Sequence, residues 1–357
     1  MPKRVSFFGK LLFWLNNLST LALLLSHYFV HIHPGNYYIA GLIAMSYPLW
    51  LLINICFFLY WVYRFKKYFL LPLFGFILTW SSIGNLYQGL GNSKDLNPNE
   101  SLRILSYNVR LFNLYNWIDE DGIDLKQINL INEQNADIVG IQEYYKKNDN
   151  IHLLQFPYKK VKLINPNKNY GLAIYSKYPI LNSYLISNVN NSANAIMRSD
   201  IRVDSDTIRV FNAHLASLKL GARDYAFLDN INKEKTEEEL KVGTLKILGN
   251  MRKAYKSRTF QIDVLKREIA NSPYPIVLLG DFNDVPQSYV YHSLTENLND
   301  AFIESGSGFG KTYTRYLPSF RIDYILHHSQ WDAFNYKVLN EQELSDHYPV
   351  RADLILN

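Results

Sequence analysis

The chain has 357 residues, enough for one large α/β domain and a second part beside it. Seven of its 37 basic and two of its 32 acidic residues precede Ser101, so the +5 net charge lies entirely in the N-terminal part, and 30 residues of each sign remain beyond it. A neutral C-terminal part lacks the strong positive field of a dedicated nucleic-acid binder, and a single cysteine, Cys56, excludes both a disulfide framework and a cysteine zinc site.

Residues 1–90 read as a membrane anchor. Apolar stretches at 11–30, 39–62 and 69–86 each come close to or exceed the roughly 20 residues that cross a bilayer core as a helix, and none contains Asp, Glu, Lys or Arg. Three transmembrane helices are therefore expected. Asn16, Asn17, Ser19 and Thr20 make the first the most polar. Lys3 and Arg4 precede an apolar run, but no small-x-small cleavage site follows, which argues against a cleaved signal peptide. Lys3, Arg4 and Lys10 flank the first span and Arg64, Lys66 and Lys67 join the second to the third, whereas residues 31–38 carry neither Lys nor Arg. The positive-inside rule then puts the N terminus and the second connection in the cytoplasm and, with three spans, everything after the third on the extracytoplasmic side. His31 and His33 read as members of a solvated loop and not as a metal pair. Residues 91–100, rich in Gly, Asn and Ser, read as a linker.

From residue 101 to 357 short β-branched runs alternate with polar segments, the pattern of an α/β domain. Strands are expected at 102–109, 138–141, 172–175, 208–211, 276–279 and 324–326, and helices at 124–133 and 259–270. Polar residues of one chemical kind sit at or just beyond these strand ends: Asn108, Glu143, His214, Asp281 with Asn283, Asp323, and Asp346 with His347. Strand ends on one side of a sheet converge, and carboxylates and amides without thiols suit Mg2+, Mn2+ or Ca2+ in preference to zinc.

The ordered series Tyr107-Asn108, Gln142-Glu143, Gly171 to Ile180, Asn212-Ala213-His214-Leu215, Gly280-Asp281-Phe282-Asn283, Arg321 to Ile325 and Ser345 to Val350 resembles the motif series of the endonuclease/exonuclease/phosphatase (DNase I-like) superfamily. The resemblance implies a four-layer αββα sandwich with the site at one edge of two facing sheets. It also implies roles: Glu143 as the main Mg2+ ligand with Asn108 and Asp346 beside it, Asp281 orienting or deprotonating the attacking water, Asn283 holding that water or a phosphate oxygen, Asp323 fixing the tautomer of His347, and His214 and His347 donating to phosphate oxygens. These roles meet what phosphoester hydrolysis requires, namely a cation against equatorial charge and preorganised donors where charge grows.

The motifs specify the reaction and not the substrate. A nuclease is the first expectation, by family breadth. A phospholipid or sphingolipid head-group phosphodiesterase or phosphatase is the alternative, favoured by a tether that holds the site near a bilayer. A catalytically silent binding protein is the third, opposed by the complete set of site residues. No protein partner is implied. Ser305 to Thr312 ends like a phosphate-binding P-loop but lacks its first glycine and reads as a mobile loop bordering the pocket. The charged run 234–241, within a long segment at 218–256, reads as a solvated helix placed where a lid would sit.

Overall fold

The computed structural model describes residues 7–97, 100–188, 194–218, 236–314 and 321–356. The N-terminal part is helical: α1 (Phe7–Tyr28), α2 (Tyr38–Met45), α3 (Tyr47–Tyr63), α4 (Leu70–Leu78) and α5 (Trp80–Leu86). A 3-10 turn extends α1, and two continuous runs, Phe7–His31 and Tyr38–Tyr63, are long and apolar enough to cross a membrane. The expected third span is not a third such helix. Here α4 and α5 meet at 68° around Thr79, whose hydroxyl donates to the Gly75 carbonyl and accepts from the Tyr47 hydroxyl at 2.8 Å. A threonine that bonds back into its own helix and sideways to a neighbour marks where the apolar run bends.

This helical unit is sorted inside out. Phe8, Trp14, Leu18, Leu52, Phe74, Ile77 and Trp80 point outward, whereas Asn16, Ser19, Thr20, Ser26, Asn54 and Thr79 are buried. Thr20 donates to the Asn54 side chain (2.7 Å), Asn54 donates to the Ser19 carbonyl, and Asn16 donates to the Tyr68 carbonyl. The polar residues that weakened the first span in sequence are therefore the ones that bond α1 to its neighbours, as interhelical amides and hydroxyls do where no water competes.

Two mixed sheets form the rest. One runs β11-β12-β1-β2-β4-β3 and the other β5-β6-β7-β8-β10-β9, with β1 (Leu102–Asn108), β2 (Ile138–Tyr145), β3 (Tyr158–Asn165), β4 (Tyr170–Ser176), β5 (Ile180–Asn188), β6 (Ala195–Val203), β7 (Asp206–His214), β8 (Ile276–Asp281), β9 (Asn299–Asp300), β10 (Asp323–His327), β11 (Trp331–Val338) and β12 (Val350–Leu356). In each sheet one central pair, β1 with β2 and β7 with β8, is parallel, and the other pairings are antiparallel. Ile104, Ile138, Ile174, Met197, Val210, Val277, Leu279, Ile325 and Val350 fill the space between the sheets. Outside the first sheet, Leu105, Val139 and Ile141 pack with Ile128 and Ile131 of α6 (Ile123–Glu133). Outside the second, Phe211 and Leu278 pack with Ile262 and Leu265 of α7 (Glu237–Ala270) and with Tyr291 and Leu294 of α8 (Tyr289–Thr295). The layer order is helix, sheet, sheet, helix.

Each expected strand lies within or overlaps an observed one, but β3, β5, β6, β9, β11 and β12 gave no sequence signal strong enough to single them out. The expected helix at 259–270 is only the last third of the 34-residue α7, which opens with Thr236 and Glu239 in a reciprocal capping box. The charged run from residue 236 onward is the start of that helix. Residues 219–235, which include the start of the charged run and the first part of the segment expected as a lid, lie outside the described residues.

Between the sheets, Asn212 donates to the carbonyls of Ile141 and Ala173, and Gln142 donates to Asn212 at 2.7 Å. This polar rung joins β7 to β2 and β4 directly beneath the strand ends. The sheets approach closely enough there that a Cβ on Gly140 would fall 2.0 Å from Leu279 Cδ1. Gly280, at φ 138°, would place a Cβ 1.9 Å from the Ala213 carbonyl oxygen, a conformation and a space open only to glycine. Gly280→Ala should therefore lower the thermal midpoint of the full chain by more than about 6 °C, a loss of roughly 2–3 kcal/mol. Gly122→Ala, at φ 70° with nothing within 4 Å, is the control for strain without collision and should cost about 1 kcal/mol. Equal shifts for the two would contradict the packing account.

Candidate active site

The eight residues singled out in sequence come together at one end of the two sheets. Asn108 ends β1, Glu143 lies within β2, His214 ends β7, Asp281 ends β8 with Asn283 in the turn beyond, Asp323 begins β10, and Asp346 and His347 lie just before β12. Asp281, almost completely buried, is their hub. Its Oδ2 accepts from Asn108 Nδ2 (3.1 Å) and Asn283 Nδ2 (3.1 Å), and its Oδ1 accepts from the Asn283 backbone N–H (2.8 Å). The Nε2 atoms of His214 and His347 stand 3.6 and 3.7 Å from the same Oδ2, too long for a strong hydrogen bond. His347 Nε2 therefore keeps capacity to donate elsewhere.

His347 Nδ1 and Asp323 Oδ2 are 2.9 Å apart, both buried. Burial alone would lower the imidazole pKa. Asp323, followed by Asp281, outweighs it and holds His347 up at about 10. Burial likewise pushes the Asp281 carboxyl up, to about 6, although His347 and His214 pull it down. The Asp281 carboxylate thus retains basicity near neutral pH, and the His347 ring retains its proton. These are the states that a proton acceptor and a phosphate-oxygen donor need.

Glu143 and Asn283 both adopt left-handed backbone conformations, at φ 50° and 52°, uncommon for residues with a Cβ and costly unless the surroundings hold them. For Glu143 the cause is an irregularity in register between β2 and β4, lying between Ile141 and Tyr144. This bulge turns the carboxylate out of the pleat and into the site. Glu143 stands 3.8 Å from His214 Nε2 and remains partly accessible. Burial and then the nearby Asp346 charge raise its pKa, and the Asn108 side chain bonds to it. Two carboxylates and an amide crowded at a partly open edge form a hard-oxygen set whose mutual repulsion a cation would relieve. A second grouping competes with it. Asp281, Asp323 and His347 bring one ligand atom each within 4.8 Å of one another. That trio is already committed to the His347–Asp323 hydrogen bond and includes a ring held in its protonated form, so the oxygen set is the better match to Mg2+, Mn2+ or Ca2+.

Residues that the sequence reading passed over complete the site. Arg110 Nε pairs with Asp346 Oδ2 at 3.2 Å, and its guanidinium lies 4.2 Å over the Trp117 ring. Arg110 begins a run of four left-handed residues through Asn113, so the turn after Asn108 is tightly contorted. Its position two residues after the first motif was the signal available. Arg258 of α7, fully buried, donates to the carbonyls of Asn283 and Ala216 and pairs with Asp284. Thr312 accepts at its hydroxyl from the backbone N–H groups of Ile322 and Asp323, and Tyr313 lays its ring 5.1 Å from that of His347. The P-loop-like segment is therefore a wall of the site. It begins at the end of the short helix α9 (Ala301–Ser305), and Tyr313, just beyond it, forms a β-bridge with His347. Thr312 is buried and bonded, which corrects the expectation of a mobile loop.

Two tests follow for the pair. If Asp323 orients His347, then His347→Ala, Asp323→Asn and the double variant should each lose a similar factor in kcat, on the order of 10²–10⁴, and not the product of two losses. Multiplying losses with folding unperturbed would separate the residues. Stability gives the second readout. A histidine whose folded pKa is raised contributes stabilisation that is complete below its unfolded pKa of about 6.5 and is lost as pH rises through its folded value, here about 10. Chemical denaturation in EDTA should show that decline between these limits in the parent protein and a flatter profile in His347→Gln.

Comparison with known proteins bears on this arrangement. Residues 105–347 match the Endonuclease/Exonuclease/phosphatase family, and residues 9–86 match a Domain of unknown function (DUF8431). No curated protein sequence matches the chain. Among solved structures, humanized D. rerio TDP2 shares 15% identity over 71% of this chain and 99% of its own, with a TM-score of 0.51. A family protein from Bacteroides vulgatus shares 19% identity over 72% and 99%, TM-score 0.51, and a functionally unknown conserved protein from Enterococcus faecalis V583 shares 16% over 72% and 100%, TM-score 0.51. These likenesses speak for the fold, and the family match covers every strand end that carries a site residue: the chain belongs to the endonuclease/exonuclease/phosphatase family and is a phosphoester-hydrolysing enzyme.

Proposed function

We propose that the protein is a membrane-anchored phosphoesterase that requires a divalent cation, Mg2+ first, held by Glu143 with Asn108 and Asp346. The observation that carries this reading is the division of the strand-end residues into an oxygen-only set at an open edge and a buried carboxylate–imidazole–carboxylate chain beside it. Such a cation, when bound, would supply positive charge against the equatorial oxygens of the reacting phosphorus. Asp281 accepts the proton of the attacking water, its carboxylate held in place by the Asn283 backbone and side chain. His214, at the end of β7, and His347, in the segment before β12, present Nε2 toward the same point and donate to non-bridging oxygens. Asp323 keeps the His347 proton on the ring and the ring in register. A silent binding protein would have no use for this complete and mutually oriented set.

Membrane anchoring is supported by the two runs of crossing length and by their outward apolar and inward polar faces. The orientation is supported by the way the helices meet the catalytic domain. His31 packs its ring 4.1 Å from His292, His33 approaches Asp263, and Tyr38 lies under Arg252, so the connection without Lys or Arg docks on that domain and is not a solvated loop. Tyr68, next to the basic turn Arg64 to Lys67, packs against Phe13 at the opposite end of α1. A basic Arg64 to Lys67 turn at the far end of the helices from the catalytic domain favours a position outside the cytoplasm for that domain.

Glu143→Gln should weaken Mg2+ binding and lower turnover of bis-p-nitrophenyl phosphate by at least about 10²-fold while leaving the thermal midpoint within a few degrees. Undiminished turnover of the parent enzyme in excess EDTA would refute the cation requirement. For topology, an alkaline phosphatase reporter fused after Asn357 should be active and a cytoplasmic fluorescent reporter dark. The reverse pattern would overturn the orientation.

A further inference from the structure

The end of the last anchor helix is bonded to the loops that carry the catalytic residues. Gln287, four residues beyond Asn283, donates to the Ser82 carbonyl at 3.2 Å. Arg321, two residues before Asp323, donates to the Asn85 carbonyl at 3.1 Å while its other nitrogen pairs with Asp300. Gln88 and Gly308 exchange two backbone hydrogen bonds, and Tyr87 sets its ring 5.1 Å from Phe309. The segment that starts at that bridge reaches His347 through Tyr313, five residues on, which bounds the separation at about 17 Å of extended chain. On the second helix, Gly41 lets Tyr255 of α7 approach so closely that a Cβ there would fall 2.8 Å from its ring. One turn away on α7 is Arg258, which holds the Asn283 loop. The anchor is thus docked beside the mouth of the site by contacts to three of its loops.

Exposed aromatic side chains lie on two flanks of these loops. Phe309 (66% exposed) packs on Tyr87 on the anchor side, and Tyr115 packs on Trp117, the ring under the Arg110 guanidinium that pairs with Asp346. Aromatic rings with a polar edge favour the head-group level of a bilayer. A nucleic-acid substrate would need a basic track of phosphate contacts, and the catalytic part, with 30 residues of each sign, has no excess of them.

Building on the phosphoesterase reading above, we propose that the substrate is a phosphoester in the head group of a bilayer lipid, whose apolar part stays in the membrane while its phosphate is taken up between Glu143, Asp281 and the two imidazoles. Docking at three loops holds the mouth at the height of the head groups, and the aromatic rim lies against the interface. Catalysis is then interfacial, with a rate set by the surface fraction of substrate and not by its bulk concentration.

The test uses the full chain reconstituted with Mg2+ in vesicles of phosphatidylethanolamine, phosphatidylglycerol, phosphatidic acid, cardiolipin and sphingomyelin, with bis-p-nitrophenyl phosphate, an oligonucleotide and the deacylated water-soluble head-group esters as parallel substrates. The expected result is release of phosphate or phosphorylated head group from at least one vesicle lipid. Its rate should fall when that lipid is diluted in the membrane with a phosphorus-free glycolipid at constant bulk amount, and the matching soluble ester should turn over at least about ten-fold more slowly. Phe309→Ser should lower the ratio of vesicle to bis-p-nitrophenyl phosphate turnover by about ten-fold, the loss expected from one interfacial aromatic side chain. Hydrolysis of bis-p-nitrophenyl phosphate without release from any of these lipids, or faster cleavage of the oligonucleotide than of every lipid, overturns the substrate assignment and leaves the phosphoesterase reading intact. Inactivity toward bis-p-nitrophenyl phosphate and all other substrates brings down both.

Discussion

The buried carboxylate of Asp281 is the constraint around which the catalytic domain is organised. A charge taken out of water is tolerated only when donors or positive charge surround it, and the donors here, Asn108 at the end of β1 and Asn283 in the turn after β8, come from both sheets, with the His214 and His347 rings 3.6 and 3.7 Å away. Each sheet must therefore end at the same height, with its parallel central pair aimed at one point. Gly280 allows β8 to press against β7 immediately before the charge, and the Asn212–Gln142 rung fixes the sheets one layer below it. The raised pKa of Asp281 is the residual cost of this arrangement. In the proposed mechanism it is also what makes the group a usable base, at the expense of stability.

The proposed anchor faces the opposite problem. In a bilayer, outward apolar side chains would leave these helices without the hydrophobic effect to hold them together, and Thr20, Asn54, Asn16, Tyr47 and Thr79 are instead bonded inward. The bend at Thr79 turns the chain out of the last apolar helix pair directly onto the catalytic domain, where Ser82, Asn85 and Gln88 find partners. Even the stretch expected as a free linker is tied down, since Asn335 of β11 bonds both to the Asn92 carbonyl and to Lys94. The two parts of the chain are joined as a docked pair and not as a domain on a tether.

How much of this was legible before the structure depends on the range of the interaction. Asn108, Glu143, His214, Asp281, Asn283, Asp323, Asp346 and His347 could be found because each sits in a short stretch whose residue types repeat a family series. The strands beneath them were visible as β-branched runs. Edge and outer strands such as β5 and β11 were not, because half-exposed strands carry mixed sequence that local periodicity does not separate from loop. Arg258 lies inside a long charged helix, and nothing near it in sequence shows that its partners are the carbonyls of Asn283 and Ala216. The docking of Gln287 on Ser82 joins residues 205 apart, beyond any local signal. The bend at Thr79 was also hidden, since an apolar run reads the same whether straight or broken.

The proposed chemistry requires the strand-end residues to divide into an oxygen-only cation cradle and a separate proton-handling chain. Crystals of the protein grown with Mn2+ would test that division most directly through anomalous scattering. The predicted result is one peak about 2.1–2.5 Å from a Glu143 carboxylate oxygen, with Asn108 and Asp346 beside it directly or through water, and His347 Nδ1 still bonded to Asp323. A peak seated among Asp281, Asp323 and His347, with the His347–Asp323 hydrogen bond replaced by metal ligation, would contradict it.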